Sequence, residues 1–222
     1  MPIKRFGFAA AALVASVVLS DVVQAQTPPT TPPVTPPAGG GRAGGGGGGG
    51  RGGGRAAMRV MSLTSSAFAD GGTIPMKHSQ AGHDVSPPLS WTGAPDSTRS
   101  FVLIVHDADA ATGDGTDDML HWMVWNIPGT ATSLPEGFPQ GSQAPDNIRQ
   151  LSGTGPYYRG PAAPSTGPAH HYLFELYALD AAINVTAAGQ QTAPTRASIM
   201  QAMQTHIRGK GVLVGLYKRP AP

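Results

Sequence analysis

What most limits the folding of this chain is a change of composition just before residue 58. Residues 27–37 hold six prolines in eleven positions, and residues 38–57 hold thirteen glycines, with Arg42, Arg51 and Arg55 among them. A Pro-rich run is extended and semi-rigid, and a Gly-rich run is a loose coil. Neither carries the apolar surface that would offset the entropy of ordering it. A packed core is therefore expected only from Met58 onward, and residues 26–57 read as a disordered linker. Ahead of it, Lys4-Arg5, the apolar stretch Phe6–Leu19 and the small-residue exit Val23-Gln24-Ala25 read as a secretory signal peptide over residues 1–25. That apolar run is short for a bilayer span. No integral membrane segment is expected after cleavage, and the protein is expected to be exported, to the periplasm or outside the cell.

The overall charge of +2 comes from this leader and linker. Residues 1–57 contain five Lys/Arg and one Asp, which leaves ten Lys/Arg against twelve Asp/Glu in residues 58–222, a formal −2. Nothing in that balance marks a nucleic-acid surface. The chain has no cysteine, which removes disulfides, thiolate metal sites and a Cys-linked lipid anchor. The remaining 165 residues suffice for one domain with its own core, and all seven histidines lie there.

Within this part, Arg99–Val105, Leu120–Ile127, Tyr172–Leu179 and Gly211–Tyr217 are apolar, β-branched or alternating runs of strand length, with Met58–Ser62 and Leu89–Trp91 as shorter candidates. Segments 70–88, 110–118 and 128–169 read as long loops, of the kind that carry function. A helix is expected from about Pro194, with Ile199, Met200, Met203 and Ile207 on one face, ending near Gly209. The sum is a mainly β fold, an antiparallel sandwich-like domain over 58–222 with one or two small helices.

The chemistry sits at strand ends. Asp107 and Asp109 follow the run Phe101–Val105, and alternation puts them on one face. They can bind a metal, act as an acid/base pair, or cap the following turn through backbone N–H groups. His121 opens the next strand fourteen residues after Asp107, a spacing that suits a neighbouring antiparallel strand. His170 opens another after the Pro-rich segment 160–167, which cannot pair as a strand. Two His and two Asp ringed by Pro, Gly and Tyr make a small polar site with apolar walls. Imidazoles with loop N–H groups suit a phosphate or other oxyanion, and the aspartates are expected to raise the imidazole pKa values. Alternation also places His121 at the rim and turns Trp122 to the opposite face, with Val124 and Asn126. No tight His-x-x-x-His spacing, nucleophile elbow or phosphate-binding loop motif appears, so no cofactor, metal or enzymatic nucleophile is expected.

Several blocks in one order resemble the phosphatidylethanolamine-binding protein family, in particular its bacterial Raf-kinase-inhibitor-like branch. They are Ser86-Pro87-Pro88-Leu89-Ser90-Trp91, Asp107-x-Asp109-Ala110, His121-Trp122 to Asn126-Ile127-Pro128-Gly129, Leu134-Pro135-Glu136-Gly137, Gly160-Pro161, His170-His171-Tyr172 and Val214 to Arg219. The resemblance runs from about Met58 to Arg219. It implies a β-sheet fold with a small anion-binding cavity, associated with phospholipid headgroups, nucleotides and, in eukaryotes, kinase partners. It implies that Asp107, Asp109, His121, His170 and Tyr172 line that cavity and that Gly160 and Pro161 shape its rim. The chain departs from the family's Gly-Pro-x-Pro-Pro, having Gly160-Pro161-Ala162-Ala163-Pro164. It likewise has Asp107-Ala108-Asp109-Ala110-Ala111 for Asp-Pro-Asp-Ala-Pro, and His171 where Arg is common. These losses of proline are expected to loosen the cavity walls.

The reading that follows is an exported binding protein for a small anionic or phosphorylated ligand. The alternatives are a hydrolase using the His/Asp cluster, or an interaction protein with a vestigial pocket whose protein partner meets loops 110–118 or 138–169. Oligomeric state is not legible.

Overall fold

The computed structural model describes residues 58–112, 117–141, 145–186 and 192–222. The signal peptide expected over 1–25 and the linker expected over 26–57 lie outside the described residues. The strands are β1 (Arg59–Val60), β2 (Ser62–Thr64), β3 (Gly72–Thr73), β4 (Leu89–Thr92), β5 (Ser100–Thr112), β6 (Asp117–Pro128), β7 (Ser133–Leu134), β8 (Arg149–Leu151), β9 (His170–Leu179) and β10 (Ile207–Tyr217), with one helix, α1 (Thr192–Met203).

The four long strands are the ones the apolar runs marked. They centre a seven-stranded sheet in the order β1-β10-β9-β5-β6-β8, with β3 also pairing along β10. A three-stranded sheet, β2-β4-β7, covers one face. The two sheets share a core that includes Leu63, Leu89, Trp91 and Leu134 from the small sheet and Phe101, Leu103, Trp122, Phe174 and Leu213 from the large one. On the opposite face, Ile199 and Met203 of α1 pack over Val102, Ile104, Met123, Trp125 and Leu179. Alternation on β9 sorts its residues as expected: Tyr172, Phe174, Leu176 and Ala178 enter the inter-sheet core, Tyr177 and Leu179 the helix-covered one. At Gly215 a side chain is excluded, since a Cβ there would lie 2.5 Å from Ile74 and 2.9 Å from Phe68. The segment leading to β10's partner β3 can therefore pass directly over it.

One expectation is refined and four are corrected. The large sheet is mixed, because β1 and β3 run parallel to β10, and Met61 carries the chain from β1 into the other sheet. Residues 110–112 and 117–118 are strand rather than loop, since β5 continues to Thr112 and β6 begins at Asp117. Segment 128–169 contains β7 and β8. The helix stops at Met203, because Ile207 pairs with Leu179 as the first residue of β10. Met200 is exposed rather than facing the core. Among the described residues no helix is long and apolar enough to cross a membrane.

Candidate ligand-binding site

The pairing of β5, β6 and β9 brings the predicted cluster together. Asp107 lies opposite Met119 on β6 and opposite Tyr172 on β9. Regular pairing with β6 then lapses until Thr112 meets Asp117. Asp107 itself holds the looped-out segment: its Oδ1 accepts the N–H of Asp109 at 3.0 Å and of Ala110 at 3.1 Å. The capping role is thus filled, and so is a second one. His170 Nδ1 donates to Asp107 Oδ2 at 2.9 Å, and Tyr172 stands opposite Asp107 on the paired strand. A side chain only 4% exposed carries a charge matched by several donors, the condition under which a buried carboxylate is tolerated.

His121 reaches the cluster through a β-bulge. Val105 pairs with Trp122 and His106 with Leu120, so His121 is the extra residue on β6. A bulge upsets alternation and re-aims a side chain, and bulges gather beside functional sites. Here His121 and Trp122 both face the inter-sheet side. Trp122 packs edge-on to Phe138 and Tyr158, and the His121 ring stands edge-on to Tyr172 at 5.1 Å. The rim position expected for His121 and the opposite face expected for Trp122 are both corrected, since His121 is 1% exposed. Its Nδ1 contacts the carbonyl oxygens of Arg159 at 2.9 Å and Gly160 at 3.0 Å. Its Nε2 is buried with no hydrogen-bond partner among the described residues. Burial lowers the His121 pKa, outweighing the nearby Asp107 carboxylate. The expectation of raised imidazole pKa values therefore fails at His121, for lack of solvent around the ring. Burial, then the nearby Asp107 carboxylate, pushes the Tyr172 phenol far above its ordinary range, so it keeps its proton.

Gly160 and Pro161 belong to the wall against which His121 rests. A Cβ on Gly160 would lie 2.3 Å from the His78 carbonyl oxygen and 2.8 Å from Asp84 Oδ1, so the residue fits only as glycine. Its N–H donates to Asp84 Oδ1 at 2.9 Å, and its carbonyl also accepts Gln80 Nε2 at 2.9 Å. The Gln80 N–H bonds the Pro161 carbonyl. Asp84 adopts φ +51°, a left-handed conformation that Asp tolerates better than most residues. Beyond this wall a cleft of about 190 Å³ is lined by His83, Asp84, Ser86, Phe138, Gln140 and Tyr158, among others. It borders the cluster without including it.

Alanine in place of the expected proline gives the wall a backbone donor at 163. The N–H groups of Ala162 and Ala163 donate to the Tyr172 hydroxyl oxygen at 3.2 and 3.1 Å. A proline at 163 has no N–H to give. Asp109 is not brought into the cluster. It lies at the surface, where it accepts the N–H of His171 at 2.5 Å and faces that ring's Nδ1 at 2.9 Å. The His171 backbone bond holds its carboxyl below the usual range. Sequence reasoning missed Gln80, Asp84 and the backbone of Arg159, Ala162 and Ala163. All act through a turn or the main chain, where periodicity leaves no mark. Among the described residues no group of three or more His, Asp or Glu is arranged to hold a metal ion.

Comparison with known proteins agrees with this fold. Residues 64–218 match the family model of phosphatidylethanolamine-binding proteins. A UPF0098 protein of Methanothermobacter thermautotrophicus is 37% identical over 161 residues, covering 72% of this chain and 99% of its own. Another, from Pyrococcus horikoshii, is 38% identical, over 72% and 78%. The crystal structure of a phosphatidylethanolamine-binding protein homologue from Chlamydia trachomatis superposes with a TM-score of 0.58 at 32% identity, over 72% of this chain and 99% of that one. This chain belongs to the phosphatidylethanolamine-binding protein family.

Proposed function

We propose that this chain is an exported binding protein whose Asp107–His121–His170–Tyr172 cluster, walled by Gly160 and Pro161, holds a small phosphorylated group, such as a lipid headgroup or nucleotide phosphate. The observation that carries the reading is the Nε2 of His121, a polar atom buried without a partner. Such an atom costs free energy unless a ligand completes it, and it sits among side chains already fixed by hydrogen bonds, the arrangement that pre-organised binding requires. The family's name supports a headgroup ligand. Export rests on the sequence of residues 1–25. N-terminal sequencing of protein recovered from the periplasm or the medium should find a start near Gln26.

The test is calorimetric titration of the full chain with O-phosphorylethanolamine. Saturable binding is expected, and His121→Ala should abolish it with the β-rich circular dichroism spectrum retained. Unchanged affinity in that variant overturns the assignment. The Asp107–His170 pair, at 2.9 Å, favours a second reading, in which His170 acts as a general base in a hydrolase. Release of free phosphate during the titration would select it.

A further inference from the structure

Resting on the reading of this cluster as a phosphate site, we infer that it takes a phosphate monoester in its protonated, monoanionic form, whose P–OH donates to His121 Nε2. Backbone carbonyls only accept. With Arg159 O and Gly160 O at 2.9 and 3.0 Å from Nδ1, the ring proton is fixed on that nitrogen and Nε2 presents a lone pair. The Gly160 carbonyl is itself pinned by Gln80 and, through the Gly160 N–H, by Asp84. The tautomer is thus set by a clamp two bonds deep.

The ionisable groups around His121 come from three elements. Asp107 on β5 is an acceptor. Tyr172 on β9 receives the Ala162 and Ala163 N–H groups and keeps its own proton. His170, also on β9, spends its Nδ1 proton on Asp107. Arg159, in the wall, is the cation whose charge is felt at His121. A fully ionised oxyanion would set lone pairs against the lone pair of Nε2 and the Asp107 carboxylate. A P–OH turns the first of these contacts into a hydrogen bond and leaves a single negative charge for Arg159 to attract. Phosphomonoesters lose that proton with a pKa of about 6, so the ligand, rather than the protein, would carry the pH dependence.

Methyl phosphate and methyl sulfate separate the possibilities, because the two monoanions match in size and charge and only the first has a proton to give. Titrations of the full chain at pH 5 and pH 8 should show methyl phosphate binding at pH 5 and about a hundredfold more weakly at pH 8, two units above that pKa. Methyl sulfate should be at least tenfold weaker than methyl phosphate at pH 5. Equal binding of both at pH 5 would overturn the proton requirement and leave the phosphate site standing. Binding of neither would overturn both. Independently of ligand, ¹⁵N spectra should show His121 protonated at Nδ1 and bare at Nε2 at pH 6. Asp84→Asn should keep that signature and Asp84→Ala should disturb it. A proton on Nε2 in the wild type would overturn the inference.

Discussion

His106 and Asp107 are adjacent in the chain and point to opposite faces of the same sheet, each into a cluster of histidine and carboxylates. On the helix-covered face, His106 Nδ1 lies 2.5 Å from Asp118 Oδ2 and Nε2 lies 3.5 Å from Glu175 Oε2, although neither approach has the alignment of a strict hydrogen bond. Arg196 of α1 grips Asp118, and Lys210 of β10 bonds Glu175. Each anion there has a cation within the fold, and the network ties α1 and four strands together. On the inter-sheet face, Asp107 is equally well supplied with donors, but His121 Nε2 is left without one. A His/Asp cluster is therefore not by itself a site. The face whose carboxylates each meet a cation reads as structural, and the face that leaves His121 Nε2 with neither a hydrogen bond nor an ion pair reads as receptive. His78 also buries an unpartnered Nε2, but with Glu136 Oε1 3.7 Å away, so a carboxylate already faces it.

The contrast should appear first in stability. Asp107→Ala strips the acceptor from His170 and two backbone N–H groups in a buried setting, which should cost about 3–5 kcal/mol. Asp118→Ala removes a partner of Arg196 and His106 at a site 26% exposed, where about 1 kcal/mol is the usual scale. Urea denaturation of both variants measures the gap, and equal losses would remove the distinction between the two faces. Asp107→Ala should also end ligand binding, whereas Asp118→Ala should leave affinity unchanged.

A second effect belongs to the network alone. The close approach of His106, reinforced by Lys210, holds the Glu175 carboxyl down to about 2, against an ordinary value of about 4.3. A depressed folded-state pKa adds stability above the unfolded value, and that stability is lost as pH falls through the folded one. Glu175→Gln should therefore lower the melting temperature most near pH 7 and converge with the wild type toward pH 2. A difference that stays constant with pH, followed by scanning calorimetry, would mean the charge is not what matters there.

Much of this arrangement could be read before the structure, for identifiable reasons. The strands β5, β6, β9 and β10 are long apolar runs whose period survives in the sequence. Asp107, His170 and Tyr172 were found because they sit at the ends of such runs. The side taken by His121 and Trp122 was misread because one inserted residue shifts every later side chain, and no alternation records an insertion. Ile207 stands at helical spacing from Met203, yet its pairing with Leu179 decides its state. Gln80 and Asp84 were invisible because a turn residue that holds a backbone amide or carbonyl has no pattern to repeat. The segments β3 and β7 are two residues long and exist only through their partners.

A smaller effect tests the wall. Ala163→Pro would restore the family's residue but delete the 3.1 Å bond to the Tyr172 hydroxyl. Losing one such bond should cost about 1 kcal/mol, offset in part by the stiffer unfolded chain. Affinity for a phosphorylated ligand should fall several-fold as Tyr172 loosens. An unchanged affinity would show that the Ala162 bond alone positions the ring.

The smallest expected change concerns Asp109, which sequence and resemblance placed beside Asp107. Its partner is His171, and the two side chains are 43% and 56% exposed. Exposed ion pairs contribute between nothing and about 1 kcal/mol. Asp109→Ala should therefore lower stability by under 1 kcal/mol and leave ligand affinity within about twofold of wild type. The carboxyl is held low by the His171 N–H, so even this small contribution should be present above the ordinary carboxylate pKa and fade on acidification below it. Urea denaturation at pH 7 and pH 3, with a ligand titration at pH 5, measures all three quantities. A tenfold loss of affinity would return Asp109 to the site, and would mean that the looped-out segment after Asp107 closes over the ligand when it binds.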